Sequence, residues 1–262
     1  SGLSVGSLTV TIVDDNGCAE DVPVTITEPA DLTGAITAQT NVDCNGNTTG
    51  SVTVAADVGT GTAPYLYSTD GGATTQASGT FSGLSVGSLT VTIVDDNGCT
   101  EDVPVTITEP NSIFANGVVT DNLCWDDISG SIDQTVTGGM GPGVYSFSWT
   151  FNGAPITDIT EDLISLDSGS YVVTIVDTNF CTYDTTYIIS TPAEIIVNGV
   201  PTNVDCNGAS TGSIDVTPSS GVLPYSFDWS HLPPGGYVDV EDPTLLAIGS
   251  YTVSIMDGNG CV

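Results

Sequence analysis

The chain of 262 residues carries 32 acidic side chains, one histidine and neither lysine nor arginine, a net charge of −32. That balance excludes nucleic acid and anionic membrane surfaces as partners, because binding phosphate needs Lys or Arg to displace counterions, and it excludes Lys–Asn isopeptide crosslinks and basic interdomain salt bridges. Only 12% of residues are charged, against roughly 25% in ordinary soluble domains, so the surface must be mostly Thr, Ser, Asn and Gly. No apolar run nears the roughly 18 residues of a membrane span, so no membrane insertion is expected, and no signal peptide is visible.

In chain order, residues 1–29 recur at 82–110 with one difference, Ala19 against Thr100. Looser copies end at Cys181 and Cys261, so that Cys18, Cys99, Cys181 and Cys261 step by 81, 82 and 80. A second series, Cys44, Cys124 and Cys206, precedes the first by 55, 57 and 55 positions. A fixed period of this size marks a repeat array. Cutting at the prolines of ITEP, ITEP and ISTP gives the C-terminal end of a preceding repeat at 1–29, complete repeats at 30–110 and 111–192, and a repeat lacking its last strand at 193–262. The sequence thus reads as a piece of a longer chain. Cysteine pairs in phase argue for an oxidising compartment. The spacing predicts bridges within each repeat, Cys44–Cys99, Cys124–Cys181 and Cys206–Cys261. A loop of that length is worth roughly 4 kcal/mol in the chain-entropy model. Cys18 would then pair with a residue upstream of position 1; a free thiol or an intermolecular bond is the alternative for an odd cysteine.

Within 30–110 the period is two throughout. Val52 and Val54 alternate with Ser51 and Thr53; Leu89, Val91 and Ile93 alternate with Thr90 and Thr92 and stop at the turn DDNG. Asn-Gly supplies the positive φ of a tight hairpin, and VPVTITEP is the returning strand. A middle strand carries Tyr65, Tyr67 and Thr69 in one copy, Tyr145, Phe147 and Trp149 in the next, and Tyr225, Phe227 and Trp229 in the last. Residues two apart share a strand face, so each stripe is either a core anchor or, if exposed, a platform for carbohydrate. Six or seven short strands in about 81 residues predict an all-β chain, a tandem array of antiparallel Ig-like β-sandwiches. The cysteines depart from the antibody pattern, since Cys99 and Cys261 follow a turn rather than lie in a core strand; they predict a staple at one end of each sandwich.

The motif C-N-G-x-x-x-G-S-[IV] at 44–52 and 206–214, P-Y-x-[YF] at 64–67 and 224–227, and G-S-Y-x-V-x-I-x-D-x-N-G-C at 249–261 resemble the SprB repeat. That repeat is found in tandem in giant surface adhesins of gliding bacteria. The resemblance covers nearly the whole chain. It implies an extracellular location at the cell surface, export by type IX secretion, and a part in attachment or gliding motility. Thr69 stands where the family has tryptophan, Phe180 replaces the glycine of D-x-N-G, and CWDD at 124–127 replaces C-N-G.

Several residues are candidates for sites. The turns Asp14-Asp15-Asn16, Asp95-Asp96-Asn97 and Asp257-Gly258-Asn259 offer oxygens of the kind calcium prefers, and are equally ordinary turn residues. Glu28 and Glu109 lie at the ITEP junctions, where a rigid array would place an interdomain cation; diffuse sodium screening is the alternative. Asn47 opens a glycosylation sequon, and Asp184-Thr185-Thr186 resembles a bacterial O-glycosylation acceptor at Thr185. No catalytic residue is expected. His231 lies in a loop with no counterpart in the other copies, and oxidised cysteines supply no thiol nucleophile. The composition and resemblance together predict a stalk of a surface filament whose partners are neighbouring repeats of the same chain and other filament copies. Two other roles stay open: repeats that each grip surface polysaccharide weakly and act by avidity, and an accessory array of a glycan-degrading enzyme.

Overall fold

The structure, a computed structural model, describes residues 2–141, 143–230 and 239–262. The chain divides into two compact units, Ser1–Ser112 and Ile113–Val262. The described residues contain strands and turns and no helix.

The first unit opens with a hairpin of β1 (Gly6–Val13) and β2 (Ala19–Ile26), in register from Gly6↔Ile26 to Val13↔Ala19. A sandwich follows from β3 (Gly34–Thr40), β4 (Gly50–Ala56), β5 (Leu66–Ser68), β6 (Thr80–Leu84), β7 (Gly87–Val94) and β8 (Thr100–Ile107). One sheet runs β3-β4-β6 and the other β5-β7-β8, with every pair antiparallel. Period-two alternation sends Val52 and Val54 from one sheet, and Val91, Ile93, Val103, Val105 and Ile107 from the other, into a core with Leu32, Val42 and Tyr67. Each such side chain contributes about 1.5–3 kcal/mol by leaving water. The copies of four of these residues in the first hairpin, Val10, Ile12, Val22 and Val24, are exposed. Burial is therefore supplied by the facing sheet and is not a property of the hairpin sequence.

The second unit holds two sandwiches. The first has β9 (Phe114–Thr120), β10 (Gly130–Thr137), β11 (Ser146–Phe151), β12 (Ala154–Pro155), β13 (Leu163–Leu166), β14 (Gly169–Val176) and β15 (Thr182–Ile189), in sheets β13-β10-β9 and β12-β11-β14-β15. The second has β16 (Ile196–Thr202), β17 (Gly212–Ser219), β18 (Ser226–Ser230), β19 (Thr244–Leu246) and β20 (Thr252–Met256), in sheets β16-β17-β19 and β18-β20. The chain is thus a tandem array of antiparallel Ig-like β-sandwiches. The aromatic stripes face the cores: Tyr67, Trp149, Phe227 and Trp229 are buried. The two tryptophan N–H groups reach carbonyls, Trp149 Nε1 donating to Thr160 at 2.9 Å and Trp229 Nε1 to Val240 at 2.8 Å, as buried indoles require.

Each sandwich has a shift of register at the same place, Gly50/Ser51, Gly130/Ser131 and Gly212/Ser213. There the last strand comes close. A Cβ on Gly50 would stand 2.8 Å from Ile107 Cγ2, and one on Gly130 would stand 2.8 Å from Ile189 Cγ2. The G-S of the repeat is therefore a packing requirement. In the third sandwich the corresponding place is a groove of about 600 Å³, lined among others by Val197, Ile214, Val216, Trp229, Tyr251 and Val253.

Candidate functional site

The first aspartate of the D-x-N turn in each sandwich, Asp95, Asp177 or Asp257, ties its own hairpin to a remote loop. Asp95 is 5% exposed. Its Oδ1 accepts the amides of Asn97 at 3.0 Å and Cys99 at 2.8 Å, which closes its own hairpin, while Oδ2 accepts the amide of Thr62 at 2.9 Å. Asp257 repeats the arrangement with Asn259, Cys261 and Val222, and Asp177 does so with Asn179, Cys181 and Met140. Thr62, Met140 and Val222 each follow a glycine, Gly61, Gly139 or Gly221, whose φ lies between +55° and +65°. A Cβ on Gly139 would come within 2.8 Å of Asp177 Oδ2, so glycine is what lets the loop reach the carboxylate. Burial works to raise the pKa of Asp95 and Asp257, but the amide donors, those of the cysteines first, outweigh it and hold both below the usual carboxylate range. The sequence signal for this clamp is G-x-x-P-[YG] upstream of each aromatic strand. A tyrosine closes the same loop, with Tyr65 Oη donating to Thr60 O at 2.5 Å and Tyr145 Oη to Gly138 O at 2.7 Å.

Asp95 and Asp257, candidate calcium ligands by sequence, thus have both carboxylate oxygens accepting N–H donors. Asp14 has only its own turn, accepting Asn16 and Cys18 amides at 2.9 Å each. Asp15 and Asn16 are exposed; Asp96 donates its amide to Thr62 O, Asn97 Nδ2 donates to Thr62 Oγ1 at 2.8 Å, and Asn259 Nδ2 donates to Leu123 O at 2.9 Å. Glu28 is exposed, and Glu109 Oε2 accepts the Gly46 amide at 2.7 Å. Among the described residues no group of three or more His, Cys, Asp or Glu side chains is placed to hold a metal ion. Asn47 is exposed and gives its Nδ2 to Asp43 at 3.1 Å; Thr185 is half-buried within β15, opposite Val173. His231 lies outside the described residues.

The cysteines overturn the expected pairing. Cys124 is bonded to Cys261, with Cα atoms 5.4 Å apart and 137 positions between them in sequence. Cys44 and Cys181 are also in the disulfide state, whereas Cys18, Cys99 and Cys206 are unbonded and exposed. The physical reason lies in the last strand. Cys181 stands just before β15, and the loop of Cys124 is tied to the far end of that strand: Thr191 Oγ1 donates to Cys124 O at 2.7 Å, and the Ser190 amide donates to Asp121 Oδ1 at 2.7 Å. In the first sandwich Cys99 stands just before β8, while the Gly46 and Asn45 contacts to Glu109 and Pro110 hold the loop of Cys44 beyond its end. Eight residues of strand at about 3.4 Å rise separate the two positions by roughly 25 Å, far outside the roughly 7 Å limit for a bridge. The two cysteines of one repeat occupy opposite ends of a sandwich, and in the second unit the far end of one sandwich meets the near end of the next.

The family comparison matches the SprB repeat at residues 36–74, 116–154 and 198–232, the part of each sandwich that contains the cysteine loop and the aromatic strand. Three segments of the chain thus match the SprB repeat. No curated protein matches the chain. Among solved structures, the chain is similar to the three N-terminal domains of the Highly Immunogenic Outer Capsid protein of bacteriophage RB49, at 13% identity and a TM-score of 0.38 over 88% of this chain and 84% of that one. It is also similar to the N-terminal eight Ig domains of Down Syndrome Cell Adhesion Molecule, at 12% identity and a TM-score of 0.39 over 95% of this chain and 42% of that one. Extracellular domains 3–5 of Drosophila OTK match at 14% identity and a TM-score of 0.28 over 71% and 72%. Scores of this size carry no inference about what the chain does.

Proposed function

We propose that the chain is a structural segment of a long extracellular adhesin filament, spacing a distal adhesive region from the cell and serving surface attachment or gliding, with neighbouring repeats and other filament copies as its partners. The observation that carries the reading is the Cys124–Cys261 bond. A covalent bond from one sandwich to the next fixes repeat to repeat, which matters to a protein whose task is span and does nothing for a free-standing binding or catalytic domain. Disulfides favour an oxidising compartment, in keeping with the cell surface and with export by type IX secretion. The inward aromatic stripes weigh against distributed polysaccharide binding, which needs aromatic faces in the open.

The test is made on producing cells. Antibodies to the segment label unpermeabilised cells, and deleting one repeat weakens attachment; an unrelated β-sandwich of the same length, inserted in its place, restores attachment. If the unrelated spacer fails while added repeats raise binding to isolated surface polysaccharide, the filament is a distributed glycan binder and the spacer reading is wrong.

A further inference from the structure

We propose that the third sandwich is completed in trans: strand β2 of a second copy of the chain enters the groove beside β20, so that copies join head to tail. The inference gives the partner copies of the filament reading a surface, but it rests on the groove and the strand and not on where the protein is found.

The groove has the shape of one strand. β7 lies between β5 and β8, and β14 between β11 and β15, whereas β20 has β18 on one edge and, among the described residues, no strand on the other. Positions that the last strand covers in the complete sandwiches are open here. Val91 and Val173 are fully buried, while Val253 at the same position is half-buried; Val52 and Ile132 are fully buried, while Ile214 is half-buried. A Cβ on Gly117 would lie 2.5 Å from the Tyr187 ring, which comes from β15, whereas one on Gly199, at the same position of β16, would meet nothing within 4 Å. The groove of about 600 Å³ continues past Val197 and Val253 into a second of about 910 Å³ that reaches Ile255 and Cys261. Together they run along β20 from Tyr251 to Ile255.

β2 has the complementary defect. Residues 20–29 repeat residues 101–110 letter for letter. In β8 the side chains of Val103, Val105 and Ile107 are buried; in β2 those of Val22 and Val24 are exposed, because the hairpin has no facing sheet. The register of β7 with β8, carried over to β20, sets Val22 of the second copy opposite Val253 and Val24 opposite Tyr251. It sets Ile26 opposite Gly249 and beside Gly212, as Ile107 stands beside Gly50. Thr92 Oγ1 donates to Asp102 at 2.7 Å, and Ser254 stands at the position of Thr92 to donate to Asp21. The exchange takes β2 away from β1. A two-stranded hairpin is only marginally stable in water, and strand addition to β20 replaces its ladder bonds while burying the three apolar side chains. Donor and acceptor are different surfaces, so the contact is heterologous and propagates into filaments or closed rings.

The test is sedimentation of the full chain, unreduced, with its free thiols blocked by iodoacetamide so that no new disulfide contributes. The charge of −32 on each copy opposes association, so the comparison is made at about 0.15 M salt, where charges more than about 8 Å apart are screened. Wild type passes from monomer to dimers and longer species as concentration rises. The Val22→Asp/Val24→Asp variant, charged on the donor strand at positions the first sandwich does not use, stays monomeric. A synthetic peptide of residues 19–29 returns wild type to monomers, and the same peptide carrying both aspartates does not. Wild type that stays monomeric at every concentration overturns the proposal, as does association that survives in the variant or in excess of the unaltered peptide. Failure of surface labelling would remove the filament reading and leave the strand exchange standing, whereas a monomeric wild type removes the exchange alone.

Discussion

At the scale of single residues, the turn aspartates show how one side chain holds a sandwich shut. Asp95, Asp177 and Asp257 each receive two amides from their own hairpin and a third from a loop 33, 37 or 35 positions upstream. Asparagine in place of Asp95 would put an amide nitrogen against the Thr62 N–H, donor facing donor. Asp95→Asn is expected to lower the melting temperature of the first sandwich by several degrees, while Asp14→Asn, at an exposed turn, leaves melting unchanged; calorimetry of the two variants checks this. Asp70 is pulled further, to about 2, by the Ser68 hydroxyl first and by the Thr74 side chain and amide. A carboxylate whose folded pKa is depressed stabilises above its ordinary pKa and loses that effect as pH falls through the folded value. The difference in melting temperature between wild type and Asp70→Asn is therefore constant at neutral pH and shrinks from about pH 4 to about pH 2. Phe180 occupies the position of Gly17, Gly98 and Gly260 with φ of +65° and an exposed side chain. A non-glycine residue in that region is strained by roughly 1–2 kcal/mol, partly offset by the entropy glycine loses on folding. Phe180→Gly is expected to stabilise the second sandwich by about 0.5–1 kcal/mol in denaturant titration.

At the scale of strands, alternation in the sequence carried most of the fold. Val52, Val54, Val91 and Ile93 point inward as their period requires, and the aromatic strand anchors each core. Trp149, 1% exposed and packed on Tyr187 at 6.1 Å, fills the centre of its sandwich; Trp149→Ala is expected to cost about 3–5 kcal/mol, measured by denaturant titration. What alternation could not supply is position along a strand. It tells which face a residue takes and says nothing of which end of the sandwich a flanking loop occupies, so two cysteines 57 positions apart looked like partners although β15 holds them at opposite ends. The clamp aspartates were hidden for a related reason: Asp-Asn-Gly reads as a turn or as cation ligands, and the third donor comes from a remote loop whose signal is a glycine and a proline.

At the scale of the whole chain, a bond closing a loop of 137 positions contributes about 5 kcal/mol in the chain-entropy model, comparable with the total stability of a small domain. Cys124→Ser is therefore expected to lower the stability of the second unit markedly, whereas Cys206→Ser, at an unbonded and exposed position, leaves it unchanged; within-repeat pairing would make both variants equally harmful. With the turn carboxylates committed to amides, calcium is expected to raise the melting temperature no more than sodium at matched ionic strength, a comparison made with and without chelator. The most direct test of the account is a map of disulfides in unreduced protein. Trypsin has nothing to cut in a chain without Lys or Arg, but a glutamate-specific protease, blocked before Pro110, separates 102–161, 162–194, 195–241 and 242–262, which carry Cys124, Cys181, Cys206 and Cys261 in turn. The account predicts 102–161 joined to 242–262. Joining of 102–161 to 162–194, or of 195–241 to 242–262, would contradict it and return each staple to its own repeat.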